Sequence, residues 1–216
     1  MSTTYLDAVN KVLKKLREPT VTTVNQNDYS EMIGVFVNEA KTEIENAWDW
    51  SALRTTYTVT TTASLFNYVL TDIGIRFRIL DVWNDTDNFR MKEQTSAWMD
   101  QQFLLPTTVV TGSPLYWDIN GVDSNGDAQV DIFPVPNGVY NLRFNVVAPE
   151  KELVNDADTF STPADVIVLG AFSRALEERG QDGGNQNAEM RYRLLLADYI
   201  AIDSIHREGE LTWGAV

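Results

Sequence analysis

Val166-Ile167-Val168-Leu169-Gly170-Ala171-Phe172 is apolar around the whole circumference of a helix, so this helix needs cover on more than one side. Thr162 can cap it, Pro163 suits its first position, and Asp165 places a carboxylate in the first turn, where the helix dipole favours one. Glu177-Glu178-Arg179-Gly180 supplies a stop, and Gln181-Asp182-Gly183-Gly184-Asn185 reads as a turn. A second helix then places Met190, Leu194, Ala197, Ala201 and Ile205 on one face, in steps of three or four. Leu195, Tyr199 and Ile202 form a second stripe. Two stripes exceed what one neighbour can cover, so either a second pair of helices or another subunit packs here.

A second helix pair stands at the other end of the chain. Thr4 to Asp7 has capping-box spacing, and Leu6, Val9, Leu13 and Leu16 follow as one stripe up to the break at Pro19. Lys11, Lys14, Lys15 and Arg17 read as a solvated face in preference to a nucleic-acid patch. Asp28-Tyr29-Ser30-Glu31 opens the next helix, with Tyr29, Ile33, Phe36, Ala40, Ile44 and Ala47 along one side, as far as Trp48-Asp49-Trp50. Large aromatics at a helix end usually anchor it to the next layer.

At Ser51 the period changes from helical to alternating. Arg54 to Thr62, Leu65 to Leu70, Arg76 to Trp83, Phe89 to Lys92, Leu115 to Ile119, Ala128 to Phe133 and Tyr140 to Val147 read as short strands, with a short helix over Thr95 to Gln102. The expected class is α+β. Residues 1–51 and 150–207 form a four-helix bundle built from the two terminal helix pairs. Residues 52–149 are an inserted antiparallel β-sandwich or partly closed barrel, and 208–216 are a C-terminal tail.

The 216-residue length fits one large domain or two small ones. A net charge of −14 argues against wrapping DNA, whose phosphates demand Lys and Arg, yet a negative wall lets a duplex slide past. The first residues lack the basic and apolar blocks of a signal peptide, and no apolar run approaches the ~20 residues needed to cross a bilayer, so the protein is expected to act in solution. The absence of cysteine excludes disulfides and thiolate metal sites. His206 stands alone among Arg207 and Glu208, and one imidazole builds no metal cluster. Asp123-Ser124-Asn125-Gly126-Asp127 has part of a calcium loop, but it lacks the late glutamate, and Asn-Gly between strands favours a hairpin. Glu177 and Glu178 are adjacent on a helix and point apart. No cofactor, no metal and no enzymatic activity are expected.

The order of elements resembles the head-to-tail adaptors of short-tailed bacteriophages (podoviruses), the tail tubular protein A group. The likeness rests on a capped helix pair ending in Trp48-Asp49-Trp50 and running into Ser51-Ala52-Leu53-Arg54. It continues through Ile132-Phe133-Pro134-Val135-Pro136, Leu153 with Asp156 and Asp158, Pro163 to Ile167, Ala171 to Gly184, Arg191 to Arg207, and Glu210-Leu211-Thr212-Trp213. It implies a virion structural protein made in the bacterial host cytoplasm and located at the head-tail junction. There it would form a homo-oligomeric ring, commonly of twelve subunits, between portal protein and tail nozzle protein, with tail fibres as further neighbours. DNA would pass through without sequence-specific binding. Glu210, Leu211, Trp213 and Val216 would engage the portal, and Leu195, Tyr199 and Ile202 would form the ring interface. The alternative from the residues themselves is a carbohydrate-binding module of a tail or fibre protein, with Trp83, Trp98 and Trp117 as stacking platforms.

Overall fold

The computed structural model describes residues 3–71, 73, 76–105, 108–180 and 182–205. The chain divides into two compact units: residues up to Leu53 together with those from Pro149 onward, and Arg54–Ala148.

In the first unit, α1 spans Tyr5–Lys15, α2 Asp28–Ala47, α4 Ala164–Glu178 and α5 Asp182–Ile205; α3, Ser96–Leu104, lies in the other unit. The Thr4 hydroxyl accepts from the Asp7 N–H, and the Asp7 carboxylate accepts from the Thr4 N–H, so the first capping box is formed. The second box is displaced by one residue: Asn27, not Asp28, is the cap, paired reciprocally with Ser30. Asn27 wins because Ser30 then also reaches the Val24 carbonyl, at 2.6 Å. The buried side of α2 is correspondingly turned. Val37 and Lys41 lie inside with Ile33, Ala40 and Ile44, whereas Ala47 is exposed.

Helix α4 is covered on several sides, burying Val166, Ile167, Val168, Ala171, Ala175 and Leu176 against α1, α2 and α5. Its cap differs from expectation. Pro163 occupies the cap position with no side-chain bond, and Thr162 is buried instead. Two glycines permit close helix crossings. A Cβ on Gly34 would stand 2.4 Å from the Tyr5 hydroxyl, and one on Gly170 would stand 3.2 Å from Ala40 Cβ and 3.1 Å from the Tyr192 ring.

The expected four-helix bundle is not formed. Helices α1, α2 and α4 pack mutually, and α5 lies chiefly along α4. Of the described α5 side chains only Ala188 and Tyr192 are fully buried. The physical reason lies in length and composition. The 11 residues of α1 are too few to flank the 24 of α5, so the long helix has no fourth partner to close a core. The glycine turn also proves shorter than its sequence indicates. The α5 helix begins at Asp182, so Gly183 and Gly184 lie in its first turn, and Gly180, with φ of 68°, follows the end of α4.

The strap from Pro149 to Phe160 is tied down by side chains imitating backbone. Asn38 both donates to the Leu153 carbonyl and accepts its N–H, each at 3.0 Å. Lys41, 2% exposed, pairs with the fully buried Glu45 at 2.7 Å and donates to the carbonyls of Glu150 and Lys151 at 3.1 Å. The Asp156 carboxylate accepts from the Val24 N–H at 2.9 Å.

In the second unit, β1 (Arg54–Thr60), β3 (Arg78–Asn84), β4 (Phe89–Arg90) and β10 (Asn141–Val147) form a sheet in the order β1-β10-β3-β4. β2 (Asn67–Leu70), β5 (Lys92–Glu93), β7 (Tyr116–Val122) and β8 (Ala128–Phe133) form another, ordered β2-β8-β7-β5. β6 (Thr111–Gly112) pairs with β9 (Val135–Pro136). Val82, Leu142, Phe144 and Val146 meet Trp117, Val130 and Ile132 in one core between the sheets. The insert is not wholly antiparallel, because β5–β7 and β6–β9 are parallel pairs. Segment α3 separates β5 from β7, and a connection of that length allows the chain to re-enter in the same direction.

Candidate assembly interface

The long helix α5 is held near its middle and at its end by different chemistry, and one of its faces stays apolar and open. Near its middle, the Tyr192 ring packs over Gly170, where an added Cβ would stand 3.1 Å from the ring and 3.2 Å from Ala40, a close fit that glycine eases. Burial, and next the carboxylate of Glu43, push the Tyr192 hydroxyl far above the ordinary phenol range, with Arg174 and Arg193 opposing. Arg174 in turn bridges Glu39, at 3.5 Å, and Glu43. Near its end, the Asp203 carboxylate accepts from the Trp48 indole N–H at 2.9 Å, from the Ser51 N–H at 3.2 Å, and from the Ser51 hydroxyl. Trp50 is buried and donates its indole N–H to the Ile44 carbonyl at 2.7 Å, so the Trp48-Asp49-Trp50 pair anchors the end of α2.

Along the open side of α5, Met190, Leu194, Ile202 and Ile205 are 58%, 60%, 58% and 64% exposed, and Ala197 and Ala201 beside them are exposed too. An apolar ladder on a clamped helix is the kind of patch that marks a protein-protein contact. Of the residues expected at a ring interface, Ile202 joins this ladder, while Leu195 and Tyr199 are half-buried. The expected portal contacts Glu210, Leu211, Trp213 and Val216, and also His206, lie outside the described residues.

The three tryptophans of the carbohydrate alternative do not share a face. Trp117 is 5% exposed and packs edge-on against Phe144 inside the sandwich, with ring centroids 6.5 Å apart. Trp98 sits on α3 against Tyr116 and Phe133, at 4.9 and 5.6 Å, and Trp83 alternates with the core residue Val82 on β3. Asp123–Asp127 is a hairpin turn: the Asp123 carboxylate accepts the N–H groups of Asn125 and Asp127, and Gly126 supplies φ of 85°. Among the described residues no group of three or more His, Cys, Asp or Glu is placed to hold a metal ion, and no helix is long and apolar enough to cross a membrane.

Sequence reasoning overlooked the buried Lys41–Glu45 pair, since Lys and Glu four apart on a helix ordinarily stand in water. It also overlooked the basic cleft between the ends of α1, α4 and α5, because Lys15, Arg17, Arg179 and Arg191 come from three segments distant in sequence. No curated protein sequence matches the chain. The model of the SU10 adaptor protein family matches residues 3–214, which bears out the resemblance to phage head-to-tail adaptors. With nearly its whole length matched, the chain belongs to the SU10 adaptor protein family and is a structural adaptor component of the phage virion.

Proposed function

We propose that copies of this chain close into a ring, of twelve subunits, seated between the portal protein and the tail nozzle protein of a short-tailed phage. In this reading, which follows the tail tubular protein A group, the helical residues 1–51 and 150–207 form the ring body. The insert 52–149 meets nozzle and fibre proteins, and 208–216 is the portal-binding tail. The ring surface is the outward side of α5, with Ile202 at its centre and Leu195 and Tyr199 flanking it. Glu210, Leu211, Trp213 and Val216 engage the portal. The observation that carries the proposal is the apolar ladder Met190, Leu194, Ile202 and Ile205, exposed on a helix held at its middle by Tyr192 and at its end by Asp203. A ring contact is heterologous, joining this face to a different face of the next copy, so closure covers every ladder.

DNA passes through such a ring as a guest. The net charge of −14 supports a wall that repels phosphates and makes no base contacts. Truncation after Arg207 tests the tail assignment. Attachment to purified portal is expected to weaken while circular dichroism and melting temperature stay unchanged, and undiminished attachment would reject the assignment.

A further inference from the structure

A cleft of about 690 Å³ lies where the end of α1 meets α4 and the first turns of α5. Its rim carries Lys15, Arg17, Arg179 and Arg191, an unusual concentration of cations in a chain of net charge −14. Leu169, Phe172 and Leu176 supply an apolar floor. Two of the cations are already engaged: Arg179 pairs with Glu18 at 2.7 Å, and Lys15 stands over the Phe172 ring at 5.7 Å. Among the described residues Arg17 and Arg191 have no ion-pair partner.

Arg17 occupies a position that ordinarily belongs to glycine. Its φ is 61°, and it sits just past the C-cap Leu16, with Glu18 N–H donating to the Leu13 carbonyl and Arg17 N–H to the Lys14 carbonyl. That hydrogen-bond pair is the Schellman closure, in which the left-handed residue is usually glycine because a Cβ is strained there. Arg17 thus holds a guanidinium at the rim of the cleft on left-handed backbone that a glycine would adopt without strain.

The geometry points to this cleft as the seat for residues 208–213 of a neighbouring copy of the chain, with Glu208 and Glu210 against Arg17 and Arg191 and with Leu211 and Trp213 on the apolar floor. Charge and size are complementary, since the segment pairs two carboxylates with two large apolar side chains. Reach favours the neighbour over the same copy. From Arg191 to Ile205 the helix advances about 21 Å, and from Ala188 about 26 Å. Trp213 lies at most about 29 Å of fully stretched chain beyond Ile205. A copy's own Trp213 therefore arrives only with most of that stretch extended, and its Glu208, at most about 11 Å beyond Ile205, falls short of Arg191, whereas a neighbour's tail meets no such limit. The proposal rests on the ring reading in needing a second copy alongside, and it makes cleft and portal alternative seats for one segment.

The chain contains no cysteine, so a single introduced thiol reports one position. Gly184 lines the cleft, and a Cβ there meets Leu176 at 3.6 Å, an ordinary contact. Full-length chains carrying Gly184→Cys and Thr212→Cys are mixed and oxidised without portal. A mixed disulfide dimer is expected, at a yield at least tenfold above that obtained with the second thiol at exposed Thr22. Arg17→Glu with Arg191→Glu should abolish the excess. Arg17→Gly should lower it several-fold while raising the melting temperature, a combination that a purely structural Arg17 would not give. Yield at the control level, yield unchanged in both variants, or cross-linking within single chains that carry both thiols would each overturn the proposal. Rings in micrographs of chains that fail to cross-link would remove this docking and leave the ring. Mixed cross-links in chains that never form rings would remove the ring and leave the docking.

Discussion

The Asp203 carboxylate accepts the indole N–H of Trp48 at 2.9 Å, joining the last turn of α5 to the end of α2 across 155 positions of sequence. The same carboxylate takes the N–H and hydroxyl of Ser51, so one side chain fixes the far end of the long helix. Hydrogen bonds to a charged group contribute about 1.5–3 kcal/mol. Asp203→Ala is accordingly expected to cost about 2 kcal/mol in urea denaturation, and to speed amide exchange over residues 195–205 more than within α4. Equal exchange in both helices would mean that α5 is held without this latch.

The buried Lys41–Glu45 pair gives a second prediction. Lys41→Met leaves Glu45 buried without its cation, a loss of about 3–5 kcal/mol. Adding Glu45→Leu removes the buried carboxylate that has lost its lysine, so the double variant should be more stable than the single one. A double variant weaker than Lys41→Met, measured by the same denaturation, would show that the pair is not the governing interaction.

Alkaline pH should loosen the helical unit. Burial first, then Glu152, Asp156 and Glu31, push the Tyr5 hydroxyl up to about 12 from its ordinary value of 10.0, and Tyr192 is raised further still. In both cases the folded state holds its proton more tightly than the unfolded chain. Stability is therefore full below pH 10 and declines from there to 12, as the unfolded state releases protons first. Tyr5→Phe should flatten part of that decline in thermal melts recorded from pH 9 to 12; an unchanged slope would assign the decline to other groups.

The strands were legible because Thr55 to Thr60 and Asn141 to Val147 alternate, and alternation on a pleated surface has one reading. The helix α4 was legible from its unbroken apolar run. What periodicity cannot convey is the partner. Met190, Leu194, Ala197, Ala201 and Ile205 have the spacing of a packed stripe whether the cover is a neighbouring helix or another subunit, and the four-helix bundle was a choice between those two. Local chemistry misled twice. Asn27 and Asp28 are both good caps, and Ser30 decides between them through Val24. Gly183 and Gly184 read as breakers, yet they fall in a first turn, where helical hydrogen bonds are incomplete in any case. The basic cleft was invisible for a different reason, since its cations meet only after α1, α4 and α5 have packed.

Disrupting the ladder should separate folding from assembly. Leu194 and Ile202 are each more than half exposed, so Leu194→Glu with Ile202→Glu should change stability by no more than about 0.5 kcal/mol per site. Self-association should nevertheless fall at least tenfold in sedimentation velocity. Retained association would move the ring surface off α5.

The decisive property of the chain is whether its copies join through the outer side of α5 into a closed ring on a portal. Electron micrographs of purified portal mixed with the wild-type chain, and separately with the Leu194→Glu, Ile202→Glu variant, address it directly. The prediction is a ring of twelve subunits seated on the portal with the wild type and bare portals with the variant. Bare portals beside monomeric wild-type chain, or rings formed equally well by the variant, would contradict it.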